Sequence, residues 1–499
     1  MSQREYPAAA PSSPDDGGGS PRSPTLSYAT ANGSTLPEEI SIEVEAASSD
    51  SEEAGDELIS NCQGPPQQRP HDPEDTRSGD NVRRRCRLYK VPEQICEADK
   101  REHEPSYVSI GPYHYRSEGL QARSNLWKEQ CVSVVKSRLQ YLNQDADLLL
   151  DKMKGIEDEV RMYYDDIRSS PFPDKGQAFC EMMMTDGCFL LITLALLSDE
   201  NSSITVSSNW DNLFWWHDIL LYANQLPFVV VRAIYQLIYP GMNGDVPLLE
   251  IGRYIKYGLD RYTKRKVSDP GNADHVLHMC HELLKPTDTD READDHKLGR
   301  WRRATEYSEL LVQFKERDLD SEGGNGDFQC ISDVRVRARG RVVEIPKLQL
   351  NPESWMLLRN LMLLEQMNDH LGGHVTAYCN FISQVASTSA DVSLLVRRGI
   401  IVHTEANHEM AAKKLSMLCD QIIYDQSKDY LKSDWHELDA HCRSWSWLLW
   451  AKLFLHKDWK NPLVTLGALA AIAILVCAIV QTWYTVKAYK DQNKHPGQS

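Results

Sequence analysis

One group of residues has the side-chain types that covalent catalysis uses. Asp186 and Cys188 lie two positions apart, and His114 lies far upstream. A cysteine nucleophile needs a histidine base and a carboxylate that orients the base, and this group supplies all three. Cys188, however, lies within an apolar run, where burial raises the pKa of a thiol and makes it inert. We therefore expect packing here, and a cryptic enzyme using the Asp186/Cys188/His114 region is the alternative hypothesis.

A second group has the residue types of metal ligands. His275, His278, Cys280 and His281 follow one another closely. On a helix, His275 and His278 share a face and so do His278 and His281, but the three histidines do not. The HExxH pattern of zinc enzymes is also missing from this stretch. We expect no metal, no cofactor and no catalytic residue, and hence a protein that is not an enzyme.

The clearest single feature of the sequence is an apolar run near its end. Residues 461–486 include no Asp, Glu, Lys, Arg or His. A helix of about 20 such residues crosses the ~30 Å hydrocarbon core of a bilayer. Trp483 and Tyr484 close the run and Lys487 follows, which is typical of a membrane interface. The pattern predicts one transmembrane helix over residues 461–486 and a short polar tail over 487–499. The predicted anchor residues are Pro462, Gly467, Ile472, Leu475, Val480, Trp483 and Tyr484.

The sequence also bears on how this helix is inserted and paired. No apolar segment typical of a secretory signal precedes the main domain, so we expect insertion as a tail anchor. The large domain would then face the cytosol, with the helix in the plasma membrane or an endomembrane. Gly467 and Ala471 form a small-xxx-small pair that would allow a homodimer through the span.

The charge of the chain is concentrated at its start. Of the net charge of −17, residues 1–80 contribute −12, because they hold 16 acidic residues against 4 arginines. Such a balance argues against a nucleic-acid partner, since phosphates demand a basic surface. Residues 1–82 are also rich in Ser, Pro and Gly, which predicts a disordered arm. The 12 cysteines form no CxxC pair, which favours reduced thiols over a disulfide framework.

The remaining pattern is that of a mainly α protein with a small β-hairpin. Residues 83–455 form the predicted helical domain, with residues 264–300 as a variable polar excursion. Two alternating segments, Ile331–Arg337 and Arg341–Pro346, flank a glycine at Gly340 and predict the hairpin. Helical periodicity predicts helices in most of the rest, including Trp301–Lys315.

Several short blocks, taken in order, resemble the plant family known as domain of unknown function 247, or UPF0481. The blocks are Tyr89-Lys-Val-Pro92, Val108-Ser-Ile-Gly-Pro-Tyr-His114, Met183-Met-Thr-Asp-Gly-Cys-Phe189, Asn224-Gln-Leu-Pro-Phe228, Ala304-Thr-Glu306, Ile345-Pro346, Arg359-Asn-Leu361, Glu365-Gln366, Asp391-Val392, Gly399-Ile-Ile401 and Asn461-Pro462. The chain departs from the family at Tyr115, where a second histidine is usual, and at Ala223, where a glutamate is usual.

The resemblance implies a membrane-anchored, mostly helical plant protein with no assigned activity. Some grass members of the family resemble pollen-side partners in self-incompatibility, which implies a role in recognition and not a mechanism. Together with the anchor, this leads us to expect a recognition or signalling module. It would bind an as yet unidentified protein partner at the membrane.

Overall fold

The computed structural model describes most of the main domain and the C-terminal helix. The described residues are 84–91, 100–115, 120–165, 167, 170–196, 215–267, 269–288, 298–319, 328–444 and 462–492. The arm predicted over residues 1–82 lies outside them.

The described chain is mainly helical, as predicted. Its α-helices are α1 (Gln121–Tyr141), α2 (Leu148–Arg161), α3 (Gln177–Leu190), α4 (Phe228–Ile238), α5 (Val246–Gly258), α6 (Val276–Leu283), α7 (Ala304–Glu309), α8 (Pro352–Met367), α9 (His374–Val385), α10 (Ser389–Arg397), α11 (His408–Met417), α12 (Lys432–Ser444) and α13 (Pro462–Gln492). A π-helical turn, Leu191–Leu196, continues α3. Short 3-10 turns cover Lys100–Glu102, Pro270–Asn272, Asp369–Leu371 and Gln426–Lys428.

Several helices begin where a side chain satisfies a free backbone N–H group. The amide oxygen of Asn351 accepts from the N–H of Ser354 at 2.8 Å, at the start of α8. Thr388 and Asn407 make the equivalent bonds before α10 and α11. The first N–H groups of a helix have no partner within it, so such caps fix where it starts.

The predicted hairpin is confirmed and belongs to a three-stranded sheet. Strands β2 (Arg335–Arg337) and β3 (Val342–Pro346) pair antiparallel, and β1 (Gln313–Arg317) pairs parallel with β3. Gly340 lies in the turn with a φ of +78°, and a Cβ there would lie 2.5 Å from the carbonyl oxygen of Glu437. Glycine is therefore the residue that fits this turn. A second, two-stranded sheet pairs β4 (Leu348–Leu350) with β5 (Ile401–His403) in parallel.

The structure differs from the sequence prediction at the segment Trp301–Lys315. The helix there ends at Glu309, and β1 begins four residues later. Leu311 has a φ of +64°, a left-handed conformation that a helix cannot continue through. From Gln313 the chain alternates exposed and buried positions, with Phe314 buried against the core. Pairing with β3 thus overrides local helical periodicity.

A second difference lies in residues 264–300, which the sequence assigned to a polar excursion. Within this stretch the structure has α6, whose apolar residues Val276, Leu277 and Leu283 are buried. Because this helix is short and flanked by polar residues, its apolar face does not stand out when the sequence is averaged over a longer segment. The domain core therefore continues through the middle of the segment.

Candidate functional site

A buried carboxylate holds residues 106–108 in place through their backbone N–H groups. Asp218 is fully buried, and it accepts hydrogen bonds from the backbone N–H groups of Ser106, Tyr107 and Val108 at 2.9, 2.6 and 2.7 Å. The amide of Asn224 continues the pattern, accepting from the N–H of Ile110 at 2.6 Å. These bonds satisfy the backbone N–H groups of a segment that belongs to no helix or strand of the described chain.

The carboxylate of Asp186 has a structural partner that the sequence did not reveal. It lies 2.5 Å from the ammonium nitrogen of Lys128, and it accepts from the N–H of Gly111 at 2.8 Å. Lys128 also donates to the carbonyl of Ser109. Burial raises the pKa of Asp186, and the charge and hydrogen bond of Lys128 oppose that rise. Asp186 therefore ties α1 and α3 to the chain at Gly111.

Burial reduces the reactivity of the other two members of the candidate catalytic set, Cys188 and His114. Cys188 is buried, and burial raises the pKa of its thiol, so the thiolate is scarce at neutral pH. Burial lowers the pKa of His114 to about 4; the charge of Lys90 also lowers it, and that of Asp218 raises it. The polar bonds of Asp186 go to Lys128 and Gly111 rather than to a catalytic base. The described contacts at this place are those of packing.

The four residues of the candidate metal group face in different directions. The Nδ1 atom of His275 accepts from the N–H of His278 at 3.2 Å and caps the start of α6. The Nδ1 atom of His278 accepts from the N–H of Asp274 at 3.1 Å. Cys280 is buried with a raised thiol pKa. Only His281 faces a new set of polar groups, on α8 and α9.

That set joins His281 to Glu365 and His374. The Nε2 atom of His281 lies 2.9 Å from Oε1 of Glu365, and Nδ1 of His374 lies 3.7 Å from the same oxygen. Burial raises the pKa of Glu365, but bonds and charges from both histidines lower it overall. Burial lowers the pKa of His374 to about 3. Sequence reasoning missed this cluster because its members lie on three separate helices. Its signals in the sequence were His281, within the histidine-rich group, and Glu365, within the block Glu365-Gln366.

A large open cleft lies on another face, between α5 and the start of α8. It has a volume of about 1110 Å³. Its lining residues are Glu102, Trp216, His217, Tyr254, Tyr257, Gly258, Asp260, Arg261, Pro352, Glu353, Trp355, Met356 and Lys414. Aromatic side chains therefore stand beside charged ones in this cleft.

The aromatic wall of the cleft is held in a defined arrangement. The indole N–H of Trp216 donates to the carboxylate of Glu353 at 2.7 Å, and its ring meets that of Tyr254 edge to face at 5.8 Å. The ammonium of Lys414 lies 5.8 Å from the ring centroid of Trp355. The Nε1 atom of Trp355 is buried without a hydrogen-bond partner among the described residues. The cleft thus offers ring faces and a carboxylate.

The charged side chains of the cleft differ in how far they are neutralised. Glu102, Asp260 and Lys414 each form an ion pair, with Arg359, Lys264 and Glu405 respectively. Glu353 accepts from Trp216 and forms no ion pair with any of the described residues. Sequence reasoning missed the cleft, whose residues come from distant segments of the chain.

The predicted anchor residues lie on α13, whose apolar side chains are exposed. Ile472, Leu475 and Trp483 are 58, 63 and 58 % exposed, and Val480 and Tyr484 are likewise exposed. Its residues Ala470–Ala488 are long and apolar enough to cross a membrane. The equally apolar stretch Gln177–Ala195 is mostly buried in the domain, as a core helix is. Pro462 and Gly467 lie in the first turns of α13, and Gly467 and Ala471 are exposed.

Comparison with known proteins gives a consistent family assignment. The family model DUF247, described as a plant protein of unknown function, matches residues 88–477. A UPF0481 protein of Arabidopsis thaliana is 21% identical over 432 residues, which cover 83% of this chain and 88% of the relative. A putative UPF0481 protein of the same plant is 21% identical over 302 residues, or 57% of this chain and 51% of the relative. No solved structure matches the chain.

Proposed function

The chain belongs to the DUF247 family of plant proteins, and from this premise we propose that it is a membrane-anchored recognition protein. Its cleft between α5 and α8 would bind a peptide segment of a protein partner. The observation that carries the proposal is the open cleft of about 1110 Å³ with its wall of Trp216, Tyr254 and Trp355. Large, rigid aromatic side chains are the usual energetic anchors of protein recognition.

The chemistry of the cleft favours a partner segment with a basic side chain. A cation is attracted to the face of an aromatic ring, and more so when a carboxylate stands beside the ring. Glu353 supplies that carboxylate, held by Trp216 at 2.7 Å. The position of Lys414 over Trp355 indicates that this wall accommodates an ammonium group. A lysine or arginine of the partner would therefore enter next to Trp216 and Glu353.

The proposal puts this cleft at a membrane surface. The exposed apolar side chains of α13 support a single span, and the large domain would face the cytosol. The acidic stretch of residues 1–80, with a charge of −12, would act as a regulated arm. The proposal assigns no reaction to Asp186, Cys188 or His114.

The test is a selection of random peptides on the detergent-solubilised full chain. We expect enrichment of peptides with Lys or Arg at one fixed position, flanked by apolar residues. Glu353→Gln removes the carboxylate that attracts the basic side chain. Fluorescence polarisation of a selected peptide should therefore show at least tenfold weaker binding to this variant, which corresponds to a loss of about 1.4 kcal/mol. Trp216→Ala should weaken it similarly.

The matched control is Asp151→Asn on α2. This carboxylate is 65% exposed and pairs with Lys154, so its loss removes an acidic group without altering the cleft. Binding should be unchanged. Selected peptides that lack a basic position, or that bind Glu353→Gln as tightly as the wild-type chain, would refute the proposed mode of recognition.

A further inference from the structure

The buried cluster of His281, Glu365 and His374 has the donor set of a transition-metal site. One ligand atom from each residue lies within 4.8 Å of the other two. Around a zinc ion with bonds of about 2.0–2.2 Å in tetrahedral geometry, ligand atoms lie roughly 3.3–3.6 Å apart. The separations of 2.9 and 3.7 Å from the shared Glu365 oxygen bracket that range. We propose that this cluster binds a divalent first-row transition metal ion, with zinc as the foremost candidate.

The neighbours of His374 leave one of its ring nitrogens with a lone pair that can bind a metal. Its Nε2 atom lies 3.3 Å from the backbone carbonyl oxygen of His281, a group that only accepts hydrogen bonds. The Nε2 atom must therefore carry the proton, and Nδ1 keeps its lone pair. This Nδ1 atom is the one that lies 3.7 Å from Glu365. A backbone carbonyl that orients a histidine through its other nitrogen is a common feature around bound metals.

The surroundings of His281 and Glu365 fit the same role. The Nδ1 atom of His281 has no hydrogen-bond partner among the described residues, and its nearest carboxylate is that of Glu282 at 3.8 Å. This arrangement suits Nδ1 as the protonated atom and Nε2 as the ligand. Thr376 donates to Oε2 of Glu365 through its N–H and its hydroxyl, at 2.8 and 2.6 Å, which orients Oε1. Metal binding would displace to solvent any proton on the Nε2 atom of His281.

The burial of the cluster favours a structural role for the ion. His281 lies on α6, Glu365 on α8 and His374 on α9, and their exposures are 0, 3 and 6 %. An ion held there would join three helices inside the core. Two imidazole nitrogens and one carboxylate oxygen are ligands that zinc accepts readily.

The experiment uses the full chain, purified in detergent without a histidine tag and dialysed after growth with zinc. Mass spectrometry of the metal content should find an equimolar amount of zinc. Replacement by Co²⁺ should give visible d–d absorption, and both signals should disappear in His374→Gln and Glu365→Gln. The control is His403→Gln, which removes one member of a half-buried histidine pair away from the cluster, whose ring nitrogens lie 2.9 Å apart. It should keep the metal.

A measurement on the wild-type chain guards against variants that fail to fold. Removing the metal with a chelator should lower the Tm, and adding zinc back should restore it, because a ligand that binds only the folded state stabilises that state. Folded wild-type chain that holds no metal, gives no Co²⁺ bands and shows no Tm shift would overturn the proposal. So would metal that is retained in folded His374→Gln and lost in His403→Gln.

Discussion

Lys128 and Asp186 form a buried ion pair in which the side chains are only 5 and 1 % exposed and lie 2.5 Å apart. The pair joins α1 to α3, and Gly111 donates to the same carboxylate. A charge inside a protein is tolerated only when it is paired and hydrogen-bonded, so each partner depends on the other. The aspartate that the sequence offered as a catalytic group is thus engaged in holding the domain together.

We predict that Asp186→Asn destabilises the domain by about 3–5 kcal/mol, because it leaves Lys128 buried without a counter-charge. Denaturant unfolding of the full chain measures this loss. The double variant Lys128→Met/Asp186→Leu should lose less than the sum of the two single changes. The control, Lys154→Met, breaks the exposed pair with Asp151 and should change stability by less than about 0.5 kcal/mol. Equal effects of Asp186→Asn and Lys154→Met would contradict the prediction.

Features formed by residues that are adjacent in the chain could be predicted from the sequence. The hairpin was predictable because its strands and its turn at Gly340 are adjacent in the chain. The apolar stripe of α2 was predictable for the same reason, and Leu149, Met153 and Val160 are fully buried. Local periodicity is sufficient for elements of this kind.

The hydrogen bonds of Asp218, the histidine–glutamate cluster and the cleft were not predictable in this way. Asp218 holds the N–H of Val108 across 110 positions, and His281 meets Glu365 across 84. The pattern of residues in a single sequence does not show which distant positions will be in contact. The cleft is likewise assembled from Trp216, α5 and α8, so its aromatic residues look like ordinary core residues when read one at a time.

A second prediction concerns Gly258, which lies against the cleft wall. A Cβ at this position would lie 2.3 Å from the ring of Trp216. Gly258→Ala must therefore move the indole and disturb its bond to Glu353, with a stability loss of about 1–3 kcal/mol typical of overpacking. Tryptophan fluorescence should shift, and binding of a selected basic peptide should weaken.

Gly155 provides the matched glycine for this test. A Cβ there meets no atom within 4 Å, and the residue lies in the middle of α2. Gly155→Ala should leave fluorescence and peptide binding unchanged and add about 0.5–1 kcal/mol of stability, since alanine favours helices. Peptide binding that is equally weakened by both substitutions would show that the packing around Gly258 does not shape the cleft.

The third prediction is a loss of stability in mild acid that arises from His275. Burial lowers the pKa of this histidine from 6.5 to about 3 in the folded chain. Between these values the unfolded chain binds the proton and the folded chain does not, so stability falls as the pH falls below 6.5. At pH 5 this single group accounts for about 2 kcal/mol of lost stability.

His275→Asn isolates that contribution. Asparagine is a good helix cap and does not titrate, so it should replace the Nδ1 acceptor at the start of α6. Stability at pH 7 should stay within about 1 kcal/mol of the wild-type value, and the further loss on going to pH 5 should shrink by about 2 kcal/mol. Unfolding curves at both pH values provide the measurement. An unchanged pH dependence in the variant would show that His275 is not the responsible group.

The last prediction tests the membrane anchor. Ile472 and Leu475 lie near the middle of the apolar stretch of α13, and their side chains are 58 and 63 % exposed. A charge at the centre of a span costs about 2.5–3.5 kcal/mol on insertion scales, so the double variant Ile472→Arg/Leu475→Arg should fail to integrate. After an alkaline carbonate wash, the wild-type chain should pellet with membranes and the variant should not. The control Ile472→Leu/Leu475→Ile keeps the apolar character and should pellet. An arginine double variant that still resists the wash would show that another part of the chain holds the protein to the membrane.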